Sequence, residues 1–144
     1  MTLRIRHATV DDAEALASLA TQLGYPSDAR QTAQRLQHLA PGCAIVLVAV
    51  DEGPLLGWIH AGLHASLLLD DTAEIMGLIV HQGHRGQGIG QALLRAAELW
   101  AVQNGCSTLL VRTNIVRQRA QGFYFQNGFQ HTKTSLTLAK HLGQ

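Results

Sequence analysis

The residues with the clearest capacity for chemistry are three glycines that alternate along one loop, Gly86, Gly88 and Gly90. The loop follows an apolar run typical of a strand and precedes an amphipathic run typical of a helix. A strand that delivers such a loop onto a helix start makes backbone N–H groups converge on one point, which attracts an anion, most often a phosphate. A Cβ at these positions would hold the ligand away and penalise the φ values that the amides need. Arg85 adds a permanent positive charge at the loop entrance, so the loop is a candidate phosphate site.

The spacing of these glycines separates three uses of such loops. A Walker loop is excluded because no Gly-Lys-Ser or Gly-Lys-Thr follows, and the dinucleotide pattern G-x-G-x-x-G is excluded because the third glycine comes one position early. The remaining pattern, Arg85-Gly-Gln-Gly-Ile-Gly90, resembles the (Q/R)-x-x-G-x-(G/A) pyrophosphate loop of the GNAT superfamily of acetyl-CoA-dependent N-acetyltransferases. The alternative for these residues alone is a glycine-rich turn between a strand and a helix.

A second segment, Ala120-Gln-Gly-Phe-Tyr-Phe-Gln-Asn-Gly-Phe129, fits the A-x-x-F-Y-x-x-x-G-F signature of the same superfamily. The two motifs stand in the right order, one helix and one strand apart, so the resemblance covers nearly the whole chain. Residues 112–117 add a weaker likeness to the aminoalkylphosphonate N-acetyltransferase type. The chain departs from the family pattern at Arg117, where many members carry Asn, and at Gln82, where Pro is common.

The resemblance also implies roles in proton transfer. Tyr124 resembles the general acid of the family, whose phenol protonates the departing thiolate; otherwise it is a packed aromatic residue. Glu74, six residues before the end of its strand, stands at the offset of the catalytic base in the histone acetyltransferase branch. It could equally be a solvated residue at a strand start. His60, His64 and His81 are alternative bases, because imidazole titrates in the useful range.

Acetyl-CoA is the cosubstrate that the resemblance implies. Backbone groups at the end of the fourth strand would bind the pantetheine arm and the thioester carbonyl, because splaying of the fourth and fifth strands leaves them unpaired. Amides of the loop and the positive end of the following helix would bind the pyrophosphate. The guanidinium at position 117 could reach a phosphate of the cofactor or lie on the surface. The expected cofactor-binding residues are Leu78, Ile79, Val80, Arg85, Gly86, Gln87, Gly88, Ile89, Gly90, Gln91, Asn114 and Arg117.

Hydrophobic periodicity predicts the elements that position these residues. The order is β-α-α-β-β-β-α-β-α-β, with Thr9 and Ser27 as caps of the first two helices and a final strand or pair from Phe129 onward. This order indicates an α+β (mixed α/β) fold. It is also the order of the GNAT fold, which implies a mostly antiparallel sheet of six to seven strands, parallel and splayed fourth and fifth strands, and helices on both faces. Gly77, in the middle of the fourth strand, indicates either a bulge that would produce the splaying or a site of close packing.

Composition limits the partners and the compartment. A chain of 144 residues with 47% hydrophobic and 15% charged residues suits one domain, residues 1–144. The net charge of +1, without a dense Lys/Arg run, indicates neither nucleic acid nor a membrane as partner. We expect a cytoplasmic protein, because no signal peptide or span-length apolar run is present. Two cysteines predict no disulfide framework, and no metal ligand set is complete, although His60 and His64 share a strand face.

These observations predict an enzyme that moves an acetyl group from acetyl-CoA to a primary amine by direct attack in a ternary complex. The acceptor is expected to be a small molecule, and the acidic residues Asp70, Asp71 and Glu74 favour a cationic amine. A protein N-terminus or lysine is the alternative acceptor, and a homodimer is left open. The competing function is a non-catalytic acyl-CoA-binding or sensor domain of the same fold.

Overall fold

The computed structural model describes residues 2–143. The chain divides into two compact units, one ending at Arg112 and the other beginning at Thr113, and each is described by itself. The strands are β1 (Leu3–His7), β2 (Ala44–Asp51), β3 (Leu55–His64), β4 (Thr72–Val80) and β5 (Thr108–Val111). The α-helices are α1 (Ala13–Gln22), α2 (Ala29–His38), α3 (Ile89–Gln103) and α4 (Gln118–Gln126). Short 3-10 turns span Val10–Asp12 and Gln82–His84.

The first unit is built on one sheet with the strand order β1-β2-β3-β4-β5. The first four strands pair antiparallel, with hairpins joining β2 to β3 and β3 to β4 and the first two helices joining β1 to β2, and β4 pairs parallel to β5. The parallel pairing that the sequence predicted is therefore confirmed. It is short, because only residues 72–75 of β4 face residues 108–111 of β5.

The prediction of six to seven strands is wrong, since the described residues contain five. The segment after α4, where a final strand or pair was expected, has no regular secondary structure from Phe129 to Gly143. Its larger apolar side chains, Leu136, Leu138 and Leu142, are exposed. Alternating residues show that a segment could lie on a half-buried sheet, but a strand forms only where a partner edge meets it, and within residues 113–143 the second unit has no other strand.

Helices cover both faces of the sheet in the first unit. On one face, Leu16 of α1 packs against Val48 and Val50, and the Trp58 indole Nε1 donates a hydrogen bond of 3.3 Å to the Leu16 carbonyl. On the other face α3 approaches so closely that a Cβ on Gly57 would lie 3.2 Å from the Leu93 side chain. Because strand side chains alternate between faces, Trp58, His60, Gly62 and His64 all belong to the α1 face.

Polar contacts fix the N-terminal ends of α1 and α2. Asp12 accepts a 2.8 Å hydrogen bond from the Thr9 N–H and two more from the Arg6 guanidinium of β1, which tie the strand to the start of α1. The N-cap of α2 is Asp28, which accepts from the Gln31 N–H, and not Ser27 as the sequence indicated. Within residues 2–143, no helix combines the length and the apolar character needed to cross a membrane.

Candidate active site

The glycine loop takes the conformation that its composition predicted. Gly86 and Gly88 have φ of 80° and 82°, and a Cβ built on either would meet no atom within 4 Å. These glycines are therefore required by the backbone and not by internal packing. Gly90 differs from them, because it lies inside the first turn of α3. The first backbone bond of α3 runs from the Ala92 N–H to the Gly88 carbonyl, so the amides before it are directed out of the helix start, towards a ligand.

Side chains of the loop hold this shape. His81 Nδ1 accepts a 3.0 Å hydrogen bond from the Gly83 N–H, which makes His81 a structural cap and occupies one ring nitrogen of this candidate base. Gln82 donates from Nε2 to the Gln22 carbonyl at 3.3 Å, and so connects the loop to the end of α1. Arg85 is half-buried, and within residues 2–143 its guanidinium has no carboxylate partner. An anion bound in the loop would supply a negatively charged partner for Arg85.

The edge of β4 leads directly into this loop. Leu78, Ile79 and Val80 pair with β3 on one side only. On the other side, the pairing with β5 ends at Ile75 among the described residues. Backbone N–H and C=O groups of residues 76–80 that point away from β3 therefore have no strand partner in the described sheet, and they could bind an extended amide-containing ligand.

A bulge next to Gly77 separates the part of β4 that pairs with β5 from the part that pairs with β3 alone. His60 pairs with Gly77 and Ala61 pairs with Ile75, so Met76 is an extra residue on β4. Gly77 is also a site of close packing, since a Cβ there would lie 3.0 Å from the Trp58 ring. Both interpretations of this glycine hold. The extra residue turns Glu74 and Gly77 to the same side of the sheet, which is the α1 face.

Glu74 lies at the centre of a polar cluster on that face. It is only 6% exposed. Its Oε1 atom lies 2.7 Å from His64 Nε2, and its Oε2 atom lies 3.3 Å from Arg112 Nε. Glu74 is therefore not a solvated residue at a strand start, and both of its oxygens are occupied. The structure, within residues 2–143, contains no group of three or more His, Cys, Asp or Glu side chains that could hold a metal ion.

His60 also lies on the α1 face and differs from His64 in its surroundings. It is half-buried, opposite Gly77 at the bulge. Burial lowers the pKa of its imidazole below the ordinary value, so the ring is neutral at physiological pH. The described residues include no hydrogen-bond partner for its ring nitrogens. None of the buried side-chain nitrogens or oxygens lacks a partner in the described part of the chain, so the His60 nitrogens reach solvent.

The second unit holds the remaining predicted residues. Tyr124 of α4 is 9% exposed, its ring meets Phe123 and Phe129 edge-on at centroid distances of 5.3 and 5.2 Å, and burial raises its pKa to about 12. Asn114 precedes α4, where its Oδ1 accepts from the Val116 N–H and its carbonyl accepts from the Arg117 N–H. The Asn114 side chain thus shapes the turn into α4.

Sequence reasoning missed two partners in the first unit. Arg112 was noted only as part of a family likeness, and His64 only as an isolated alternative base. Their common contact with Glu74 depends on the register of β3, β4 and β5, which a single sequence does not display. The one available signal was a carboxylate in an otherwise apolar strand, because a buried charge requires partners.

Comparison with known proteins assigns the family. Residues 11–129 match the model of the Acetyltransferase (GNAT) family. Aminoalkylphosphonate N-acetyltransferase of Salmonella typhimurium is 32% identical over 143 residues, which cover 94% of this chain and 90% of that protein. N-acetylaspartate synthetase of Homo sapiens is 31% identical over 98 residues, which cover 68% of this chain and 32% of that protein. The chain therefore matches about a third of the length of that second relative.

A solved structure shows the same fold. Aminoglycoside antibiotic 6'-N-acetyltransferase AAC(6')-Ih from Acinetobacter baumannii superimposes with a TM-score of 0.85 over 99% of this chain and 100% of that one, at 18% identity. At this identity the likeness concerns the fold and not the substrate.

Proposed function

Because the chain belongs to the acetyltransferase (GNAT) family, we propose that it transfers an acetyl group from acetyl-CoA to the primary amine of a small molecule. The family uses acetyl-CoA as its acyl donor, and its curated relatives include several N-acetyltransferases. The observation that carries the proposal is the loop at the end of β4. Its two left-handed glycines leave open space at the start of α3, next to a strand edge with no partner in the described sheet.

The proposed binding mode follows the order of these groups along the chain. Amides at Gly86, Gln87, Gly88, Ile89, Gly90 and Gln91 would hold the pyrophosphate, with Arg85 as the permanent charge and the α3 dipole as a further favourable term. Backbone groups of Leu78, Ile79 and Val80 would bind the pantetheine arm and the thioester carbonyl. In the second unit, Asn114 and Arg117 are the proposed additional contacts to the cofactor.

The reaction proposed is direct transfer in a ternary complex. The amine nitrogen attacks the thioester carbonyl carbon, a C–N bond forms, and the C–S bond breaks. The amine loses one proton and the leaving thiolate gains one, so the products are an amide and free CoA. Tyr124 is the proposed proton donor to the thiolate, because a phenol with a pKa of about 12 stays protonated at neutral pH. The proposed acceptor of the amine proton is one of three residues on the α1 face, Glu74, His60 or His64.

The acceptor is proposed to be a small amine because two relatives that cover about nine tenths of this chain are named for such compounds. These are an aminoalkylphosphonate N-acetyltransferase and an aminoglycoside N(6')-acetyltransferase. The two names differ in the compound and share the acetylation of an amine nitrogen. A panel of phosphonate, amino acid, polyamine and aminoglycoside amines, assayed by release of free CoA, is the direct search for the acceptor.

Substitution of the loop tests the cofactor site. Gly88→Glu should abolish acetyl-CoA binding in calorimetry, because the side chain would occupy the space for the pyrophosphate and repel its charge. Gly105→Glu is the matched control, since Gly105 has φ of 80° and equally open surroundings beyond the opposite end of α3. It imposes the same backbone strain and charge, and it should leave the affinity unchanged. Equal affinity of Gly88→Glu and the wild type would remove the loop from the cofactor site.

A binding domain without catalysis is the competing function. It would bind acetyl-CoA with the same dependence on Gly88, yet release no CoA with any amine of the panel. The buried and protonated Tyr124 favours catalysis, because a binding domain has no need of a proton donor.

A further inference from the structure

We propose that His60, and not Glu74, is the base that takes the proton from the attacking amine. This inference rests on the proposed acetyl transfer and identifies one residue of its site. His60 lies on the α1 face of β3 and pairs with Gly77 across the bulge. It therefore stands at the level where β4 leaves β5 and where the free backbone edge of residues 76–80 begins.

Glu74 is poorly placed to accept a new proton. Its carboxylate is 9% exposed as a side chain, and both oxygens already have partners, His64 Nε2 at 2.7 Å and Arg112 Nε at 3.3 Å. A proton arriving at either oxygen would remove the negative charge through which Glu74 interacts with Arg112 and His64. Glu74 also lies on the paired part of β4, opposite Leu110, whereas the amine must meet the cofactor where the strands have separated.

His60 has the opposite properties. Its ring nitrogens have no hydrogen-bond partner in the described part of the chain, and they still reach solvent from a half-buried position. Its cross-strand neighbours are Val46 on β2 and Gly77 on β4, and neither can donate to the ring through a side chain. An imidazole with a free acceptor nitrogen, in a site that is partly dry and open to a ligand, has the requirements of a general base.

The protonation state agrees with this geometry. Burial lowers the pKa of His60, so its ring is neutral and able to accept a proton at physiological pH. The other charged or titratable groups on this face of β3 and β4 and at the end of β5 are His64, Glu74 and Arg112, and Glu74 contacts both of the others. The packed helix α1 contributes one charged residue, Glu14, which is exposed.

The proposed step is balanced as follows. The lone pair of the neutral amine forms the C–N bond, and an N–H bond of that nitrogen breaks as its proton moves to a ring nitrogen of His60. The C–S bond breaks with both electrons going to sulfur, and Tyr124 protonates the thiolate. The imidazolium of His60 then returns its proton to water, and the tyrosinate regains one.

The test compares His60→Gln with Glu74→Gln in the pH dependence of kcat/KM, with His38→Gln on α2 as the control for loss of one imidazole. His60→Gln should lower kcat/KM about 10²-fold. The wild type should lose activity at acidic pH, with a midpoint below 6.5, as His60 becomes protonated. His60→Gln should remove this loss and leave the acetyl-CoA affinity in calorimetry unchanged. Glu74→Gln should retain that acidic fall. His38→Gln should match the wild type.

A second measurement distinguishes lost chemistry from lost structure. In His60→Ala, added imidazole should restore a large part of the rate, because it can occupy the space left at the bulge and accept the proton. No rescue, or an acidic fall that persists in His60→Gln and disappears in Glu74→Gln, would overturn the inference and leave the acetyl transfer intact. If the wild type releases no CoA with any amine, the proposed function fails, and the inference fails with it.

Discussion

At the scale of single residues, the environment of each titratable group indicates its use. Tyr124 is an aromatic residue whose hydroxyl stays protonated because burial disfavours the tyrosinate. His60 stays neutral because burial disfavours the imidazolium. These two directions agree with the roles proposed above, a proton donor for Tyr124 and a proton acceptor for His60.

Replacement of the Tyr124 hydroxyl is the sharpest residue-scale prediction. Tyr124→Phe keeps the ring that packs on Phe123 and Phe129 and removes only the hydroxyl, which is the proposed proton donor. We expect the rate of the chemical step to fall about 10²-fold, with little change in acetyl-CoA affinity. Single-turnover kinetics and calorimetry measure the two quantities. Phe125→Leu, an exposed change on the same helix, controls for disturbance of α4. An unaltered chemical step in Tyr124→Phe would assign the proton to water or to another group.

At the scale of elements, the contact between β1 and α1 has a testable energy. Asp12 accepts from the Arg6 guanidinium and from the Thr9 N–H, and the Arg6 hydrogen bonds hold the pKa of the Asp12 carboxyl below its ordinary value. Asp12→Asn should lower the free energy of unfolding by about 1–2 kcal/mol at neutral pH. This figure is reduced for the exposure of Arg6, whose side chain is 39% accessible.

The pH dependence of that loss has a definite sign. Because the pKa of Asp12 is lower in the folded state, its contribution is complete above the unfolded value of 3.8 and is lost as the pH falls through the folded value. Urea unfolding at neutral pH and at about pH 3 should therefore show a smaller difference between the wild type and Asp12→Asn under acidic conditions. Asp11→Asn, one residue earlier and exposed, should show little difference at either pH. A constant difference would attribute the effect of Asp12→Asn to packing.

Prediction from sequence succeeded for most elements and for the parallel pairing of β4 with β5, and failed for the side-chain contacts of Glu74 and for the final strand. Periodicity located β4, the glycine loop and α3, because each has its own hydrophobic pattern and its own turn residues. The Glu74, His64 and Arg112 cluster depends on the register of β4 with β3 and β5, and the bulge at Met76 places Gly77 on the same face as Glu74. The final strand was wrongly predicted for a related reason. Alternation describes the faces of a segment and carries no information on whether a partner strand exists.

At the scale of the whole molecule, binding of acetyl-CoA should raise the free energy of unfolding. A ligand that binds only the folded state stabilises it in proportion to the logarithm of its concentration over Kd, by about 2.7 kcal/mol at a 100-fold excess over Kd. For a chain of this length that corresponds to a rise in Tm of roughly 8–12 °C. The loop and the β4 edge, which supply most of the proposed contacts, both belong to the first unit. Gly88→Glu should remove the rise in Tm.

The choice of ligand distinguishes an acetyltransferase from other α/β domains that bind phosphates. Acetyl-CoA should raise Tm in a concentration-dependent way, whereas NADP and ATP at equal concentration should not. All three carry phosphates that the start of α3 could attract, but only the pantetheine arm can pair with the β4 edge that lies free beyond Ile75 in the described sheet. The difference in binding free energy between acetyl-CoA and the other two ligands is therefore expected from the β4 edge. The loop alone should not distinguish between their phosphates. Thermal scans with the three ligands measure this directly. A rise with NADP or ATP and none with acetyl-CoA would mean that the loop binds a nucleotide and that the free strand edge has another use.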